Sequence, residues 1–256
     1  AWDEDYRDTA CMSNTYASGS APCKAACPAH VPVQAYLRLA HEGKYREALA
    51  MIKTENPFPA VCGRVCNKRC ESECTRGKID APVSIDAVKK FVADLDLNAE
   101  DRFVPEKTVQ STHGAFDEKI AIIGGGPTGI AAAYFLARGG VETTIFEREE
   151  KLGGVPRYVI PAFRISDEAL DKDVALMERL GVEVKCGAPA PSVAELKKMG
   201  YTHILLATGA WQAGELGIPG NVRGVIAWMK EMKQQVKPCL EGHVVVVGAG
   251  GAGIAA

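Results

Sequence analysis

The sequence has little of what would tie a protein to a membrane or to nucleic acid. No apolar run approaches the roughly 18 residues needed to span a bilayer, and the opening AWDEDYRD is acidic where a secretory signal would be basic and then apolar. A net charge of -2 gives no field to steer the chain toward a polyanion or an acidic surface. The five histidines share no spacing that suggests a metal site or a catalytic triad, and they read as structural or exposed. These absences predict a soluble, cytoplasmic protein with no nucleic-acid partner and no membrane span.

Cysteine, by contrast, is concentrated. Of nine cysteines, seven fall in the first 74 residues: Cys11, Cys23, Cys27, Cys62, Cys66, Cys70 and Cys74. In a reducing compartment such a cluster suits metal better than disulfides. The stretch VCGRVCNKRCESEC (61–74) repeats the thiol every fourth position. Were it one helix, its first and last thiols would lie about 18 Å apart, too far for a single metal site. Some of these thiols therefore need partners elsewhere, and Cys23 and Cys27 in APCKAACPAH are the nearest. Zinc usually takes pairs spaced C-x2-C, a pattern that these thiols lack, but a zinc module is kept as an alternative.

At 256 residues and 47% hydrophobic, the chain can bury a core and divides into two domains or more. Residues 1–98 carry the cysteines among helical patterns in PVQAYLRLAHEG, KYREALAMIKTEN and SIDAVKKFVADLDL. Pro57 and Pro59 end the second pattern before the cysteine run begins. Residues 99–118 read as a linker. From 119 the texture becomes strand, glycine turn, helix and strand, the alternation of a parallel α/β domain.

KIAIIGGGPTGIAAAYFLARGG sets Gly124, Gly126 and Gly129 in G-x-G-x-x-G directly after an apolar strand and at the opening of a helix. The first glycine permits the tight turn, the second lets a pyrophosphate approach the backbone, and the third lets helix and strand pack. Phosphate charge then sits at the positive end of the helix dipole. A second strand, VETTIFERE, ends at Glu147, an acid placed to accept from a ribose and to disfavour a 2′-phosphate. FAD or NAD fits this site better than NADP. Gly153 and Gly154 in KLGGVPRYVIPAFRI, and Ala207, Thr208 and Gly209 in YTHILLATGAW, look like the turns of two-dinucleotide flavoproteins. HVVVVGAGGAGIAA then opens a second strand–glycine–helix unit at Gly248, Gly250 and Gly253. The order reads as FAD first and NAD(P) second, and 119–213 and 214–256 are taken as the FAD domain and the beginning of an NAD(P) domain. Because the last residues stop one turn into a helix, the chain reads as a fragment or as the ordered part of a longer one.

The chemistry is narrowed by one further absence. Flavin disulfide reductases carry a reactive cysteine pair near the flavin, yet after Glu147 no cysteine appears before Cys186, read as structural, and Cys239 is unpaired in sequence. The flavin's electrons need another exit, and the amino-terminal cysteines supply one.

With APCKAACP, NPFPAVCGRVCNKRCESEC, PVSIDAVKKF, IIGGGPTG, IPAFRI, LLATGAW and the second glycine motif in this order, the chain resembles the glutamate synthase small-subunit family. It is similar also to the amino-terminal half of dihydropyrimidine dehydrogenase and the large subunit of NADH-dependent ferredoxin:NADP oxidoreductase. The resemblance implies a mainly α iron–sulfur domain, then a Rossmann-type FAD domain, then the start of a second Rossmann-type NAD(P) domain. It implies two [4Fe-4S] clusters with interleaved ligands: Cys23 and Cys74, with Cys11 a third, for one, and Cys27, Cys66 and Cys70 for the other. Cys62 matches a position that is cysteine in some relatives without being a ligand. Relatives usually offer two or more cysteines upstream of Cys23 where this chain has Cys11 alone, and where they carry a Gln or Glu ligand this chain has Lys89, so one cluster is altered or lost, Cys62 is recruited, or residues are missing from this sequence.

For the nucleotides, the resemblance assigns Gly124, Gly126, Pro127, Thr128 and Gly129 to the pyrophosphate, and Glu147 and Arg148 to the adenosine end. Gly154, Arg164, Thr208 and Gly209 fall to the flavin side, and Gly248, Gly250 and Gly253 to NAD(P). Lys151 and Arg157 read as surface charge. The implied activity is electron transfer between NAD(P)H, FAD and the clusters, with no catalytic side chain required for hydride transfer to flavin. The implied partner is a redox subunit or domain: a glutamate synthase large subunit, a ferredoxin-linked protein or a flavin-based bifurcating complex. A structural or regulatory subunit that binds FAD or metal without turnover is the alternative.

Overall fold

A computed structural model describes residues 20–108, 116–212, 217, 219–220, 222–234 and 242–248. The expectations for Cys11, Cys239, Gly250 and Gly253 lie outside the described residues. By its contacts the chain divides into two compact units that meet between Pro105 and Glu106, within the 99–118 stretch.

The described part of the first unit is helical: α1 (Pro22–Ala26), α2 (Val33–His41), α3 (Tyr45–Lys53), α4 (Pro59–Val65), α5 (Arg69–Ser72), a 3-10 turn (Thr75–Lys78) and α6 (Ile85–Leu97). The three periodic segments form α2, α3 and α6, since apolar residues three and four apart share one face. Val33 and Tyr36 of α2, Ala48, Leu49 and Ile52 of α3, and Ile85 and Val92 of α6 meet in one core. Full burial of a side chain such as Ile52 contributes about 1.5–3 kcal/mol. Cys23, Cys27 and Cys70 pack against this core, which presents them to their surroundings from a fixed base. Pro59 opens α4 at its first turn, where a missing amide costs nothing.

The 61–74 stretch is not one helix. α4 ends at Cys66, whose backbone is extended (ψ 141°), and α5 begins after Lys68 in the left-handed region (φ 58°). Cys27 and Cys74 likewise sit at helix ends with ψ of 120° and 119°. Pro28 disfavours helical backbone at Cys27.

The second unit is α/β. Strands β1 (Lys119–Ile123), β2 (Glu142–Phe146), β3 (Glu183–Lys185) and β4 (His203–Leu206) form one parallel sheet in the order β3-β2-β1-β4. Between them run α7 (Pro127–Arg138), α8 (Val155–Tyr158), α9 (Asp167–Val174), α10 (Leu176–Arg179) and α11 (Val193–Lys198), and α12 (Val225–Gln234) follows β4. β1 and β2 are central, with Ala121, Ile122, Thr144 and Ile145 fully buried, as strands covered on both faces are. α11 starts with a reciprocal capping box between Ser192 and Glu195. β4 stands at one edge with Leu206 70% exposed.

One expected element is absent. Among the described residues, 243–248 form no strand and Val244 to Val247 are exposed. A strand exists through its ladder, and none of the four described strands pairs with this segment.

Candidate functional site: a glycine cradle and two groups of thiols

The parallel order brings the ends of β1, β2 and β4 to one side, where a cavity of about 400 Å³ opens. β1 runs into Gly124, whose amide donates to the Phe146 carbonyl at 2.8 Å. Gly124 has φ +110°, and a Cβ there would overlap the Ala207 carbonyl oxygen, so the turn and the end of β4 touch backbone to backbone. A Cβ on Gly129 would overlap the Gly124 carbonyl, which seats α7 on the strand. α7 begins with Gly126 as cap and Pro127 at its first position, and Gly126, Pro127 and Thr128 all line the cavity. Opposite them stands Gly154, with φ +55°, where a Cβ would lie 2.7 Å from the Gly126 Cα.

Glu147 is 7% exposed. Its carboxylate accepts from the Gly125 amide at 2.6 Å and from the Glu149 amide at 2.9 Å. With about four acceptor sites on two oxygens, it retains capacity toward the cavity that it lines. The arrangement suits a dinucleotide: backbone cradles that any Cβ would fill, a helix amino terminus for the phosphates and an acid for a hydroxyl.

Of the expected residues, Gly124, Gly126, Pro127, Thr128, Glu147, Arg148, Gly154, Thr208 and Gly209 line this cavity. Arg164 lies on an exposed turn outside its lining. Trp211, which also lines the cavity, was not singled out from the sequence. Its ring has the Arg148 guanidinium at 5.8 Å and the Lys230 ammonium at 5.5 Å. Lys230 in turn pairs with Glu149 at 2.7 Å, which holds α12 beside this rim. An aromatic two residues after an A-T-G turn was the available signal. Gly248, first glycine of the second motif, has φ +112°, within 2° of Gly124.

Two readings of single residues are corrected. Arg157 is not surface charge: it is 6% exposed, donates to the Leu152 carbonyl and pairs with Asp171 at 2.6 Å, because its side chain turns back under the Gly153 loop. Cys186, read as structural, is exposed at the end of β3, where the strand leaves the sheet. Lys151 does carry exposed charge, paired with Asp171.

In the first unit none of the six described cysteines forms a disulfide. They sort by neighbourhood. Cys23 interacts electrostatically with Cys74 and Cys27. Cys23 and Cys74 both line a second cavity of about 200 Å³, together with Gln34, Thr75 and Arg76. Cys70 interacts with Cys66, Cys27 and Lys89, and burial, with Cys66 adding to it, pushes its thiol up to about 11. Burial raises Cys23 as well. As metal-free thiols they hold their protons, which metal must displace. The Lys68 amide donates to the Cys66 sulfur at 3.4 Å. Among the described residues no three His, Cys, Asp or Glu side chains converge on one ion position.

Lys89, on α6, is buried, and its ammonium lies 2.6 Å from Asp86 Oδ1. Burial alone would lower its pKa, but the hydrogen bond and charge of the Asp86 carboxylate, with smaller contributions from the sulfurs of Cys62 and Cys66, outweigh burial and raise it.

Comparison with known proteins fits both halves. Residues 8–101 match the family described as dihydropyrimidine dehydrogenase domain II, 4Fe-4S cluster, and residues 118–256, more than half of the chain, match pyridine nucleotide-disulphide oxidoreductase. The NADP(+)-dependent formate dehydrogenase subunit beta of Moorella thermoacetica is 32% identical over 259 residues, 91% of this chain and 36% of that protein. The NADPH-Fe(3+) oxidoreductase subunit beta of Geobacter sulfurreducens (strain DL-1 / KN400) is 32% identical over 250 residues, 92% and 36%. The NAD-dependent dihydropyrimidine dehydrogenase subunit PreT of Escherichia coli (strain K12) is 35% identical over 181 residues, 70% and 42%. The chain thus spans less than half the length of these relatives.

Both matched families are oxidoreductase families. The chain belongs to the FAD- and NAD(P)-dependent iron–sulfur oxidoreductases, whose cofactors are [4Fe-4S] clusters, FAD and NAD(P)H. No described helix is long and apolar enough to cross a membrane.

Proposed function

We propose that the chain is an electron-transfer module that passes electrons between NAD(P)H, FAD and two [4Fe-4S] clusters, to or from a partner subunit or domain. The observation that supports this reading is the neighbourhood of the amino-terminal thiols: Cys23 with Cys74, Cys70 with Cys66, and Cys27 beside both Cys23 and Cys70; we assign Cys27 to the group of Cys66 and Cys70. Cys11 is the further candidate for the first. Soft thiolates suit iron–sulfur clusters.

FAD, when bound, exchanges a hydride with a nicotinamide and single electrons with the clusters. The chain's own residues bind and orient. The amino terminus of α7 and the turn from Gly124 to Gly129 receive the pyrophosphate, Glu147 and Arg148 hold the adenosine end, and Gly154, Thr208 and Gly209 admit the flavin side close to the backbone. Arg164 is the proposed basic contact from the 161–165 turn. Gly248, whose φ matches that of Gly124, supports a second nucleotide site for NAD(P)H, to which the sequence motif adds Gly250 and Gly253.

Domains at 1–98, 119–213 and 214–256, with a 99–118 linker, accompany this reading. Two of the relatives are named as beta subunits, which supports a partner redox subunit; a partner of the glutamate synthase large-subunit, ferredoxin-linked or bifurcating kind and a cytoplasmic setting belong to the proposal. Anaerobic iron and acid-labile sulfide analysis tests it: about eight of each per FAD are expected, with EPR signals on dithionite reduction and bleaching of the flavin by NADH or NADPH. Zinc without sulfide overturns the electron-transfer reading. Clusters present with no flavin reduction by either nicotinamide would favour a subunit that binds its cofactors without turnover.

A further inference from the structure

The Cys27, Cys66 and Cys70 group contains three thiols, and a cubane has four iron corners to satisfy. The side chain that faces this group from α6 is Lys89, which acts electrostatically on Cys62, Cys66 and Cys70. Its nitrogen is committed: Asp86 Oδ1 lies 2.6 Å away, and both residues are buried. An ammonium has three donors and no lone pair for iron. What α6 offers the thiols is therefore charge.

Cys62 stands one helical turn before Cys66, whose amide donates to the Cys62 carbonyl at 2.9 Å. Residues four apart share a helix face, and both thiols act electrostatically on Lys89. α4 is held tightly on α6: a Cβ on Gly63 would lie 2.7 Å from the Lys90 Cβ, and Arg64 pairs with Asp94 at 2.8 Å. α5, which carries Cys70, is latched to the same helix by Glu71 Oε1, which accepts the Asp86 amide at 2.8 Å. The Cys62 thiol donates to Asn56 Oδ1 at 3.6 Å, and its proton would leave on coordination.

We propose that Cys62 is the fourth ligand of the cluster held by Cys27, Cys66 and Cys70, and that the Lys89–Asp86 ion pair is its charge partner and not a ligand. The assignment rests on the two-cluster reading above. A fourth thiolate adds negative charge, and the buried ammonium offsets it; net charge and hydrogen bonds to sulfur are what set a cluster's potential.

The test uses the wild-type holoprotein and two variants. Anaerobic alkylation with iodoacetamide, read by peptide mass spectrometry, should leave Cys62 unmodified together with Cys27, Cys66 and Cys70 until chelator and ferricyanide strip the iron. Cys62→Ser should lose about four iron and four sulfide per chain while retaining FAD. Lys89→Met should keep the wild-type iron content, with one EPR-monitored midpoint potential moved to a more negative value. Alkylation of Cys62 in iron-replete wild-type protein, full iron in Cys62→Ser, or loss of iron in Lys89→Met would each overturn the assignment. Wild-type protein without labile sulfide would instead overturn the parent reading.

Discussion

The carboxylate of Glu147 accepts a 2.6 Å hydrogen bond from the amide of Gly125, which ties the end of β2 to the glycine turn after β1. A residue singled out for a ribose is thus also a brace for the loop that receives the phosphates. Glu147→Ala strips a partner from two amides, at about 1–3 kcal/mol for a buried unsatisfied group. A lower thermal midpoint is expected, with FAD binding roughly tenfold weaker, the equivalent of about 1.4 kcal/mol. Fluorescence titration of the apoprotein with FAD checks it; unchanged affinity in a destabilised variant would confine Glu147 to the brace.

Gly154→Ala places a methyl against the Gly126 backbone at a left-handed position. The backbone costs about 1–2 kcal/mol and the overlap about 1–3 kcal/mol. The expected result is a lower flavin-to-protein absorbance ratio with iron unchanged. Gly140→Ala is the control: φ is +82° but a Cβ meets nothing within 4 Å, so stability should fall while flavin content holds.

Under the proposed ligand sets, Cys23→Ser and Cys74→Ser act on one cluster. Each should remove the same iron, and the double variant should remove no more, since residues acting as a unit are not additive. Cys23→Ser combined with Cys70→Ser should remove both clusters. Equal losses in the two double variants, measured as iron per chain, would break the grouping.

Arg157→Met removes the cation that pairs with Asp171 and holds the Leu152 carbonyl. Hydrogen bonds to charged groups contribute about 1.5–3 kcal/mol each, and half-exposed Asp171 puts this pair toward the low end. Burial raises the Asp171 pKa, but Arg157 and Lys151 outweigh it and hold the carboxyl below its ordinary value. The contribution is therefore full above the unfolded carboxylate pKa of about 3.9 and is lost as pH falls through the lower folded value. Urea unfolding should show the variant well below wild type at pH 7, with the gap narrowing in acid.

The elements legible in the sequence were those dictated by local chemistry. α6 announces itself through apolar residues three and four apart, and β1 with α7 through a strand that runs into spaced glycines. The breaks at Cys66 and Lys68 were not legible, because a thiol every fourth position is also the pattern of a helix face. Arg157 was misread since its burial depends on Asp171, fourteen residues onward, and on the Gly153 loop. Trp211 was missed as a lone aromatic whose place on the rim depends on a β4 register set by β1. The apolar run at 243–248 promised a strand, but alternation and apolarity describe a surface that needs a neighbour.

Cys23 and Cys27 stand four residues apart on α1 and its cap, about 6 Å along a helix axis at 1.5 Å per residue. In the ligand sets proposed above they serve different clusters, so this short helix is a ruler between two redox centres. Its length is written in covalent geometry and one turn of hydrogen bonds, with no dependence on how the sheet of the other unit is packed. On warming, the spacing of the two thiols should hold until α1 itself unwinds.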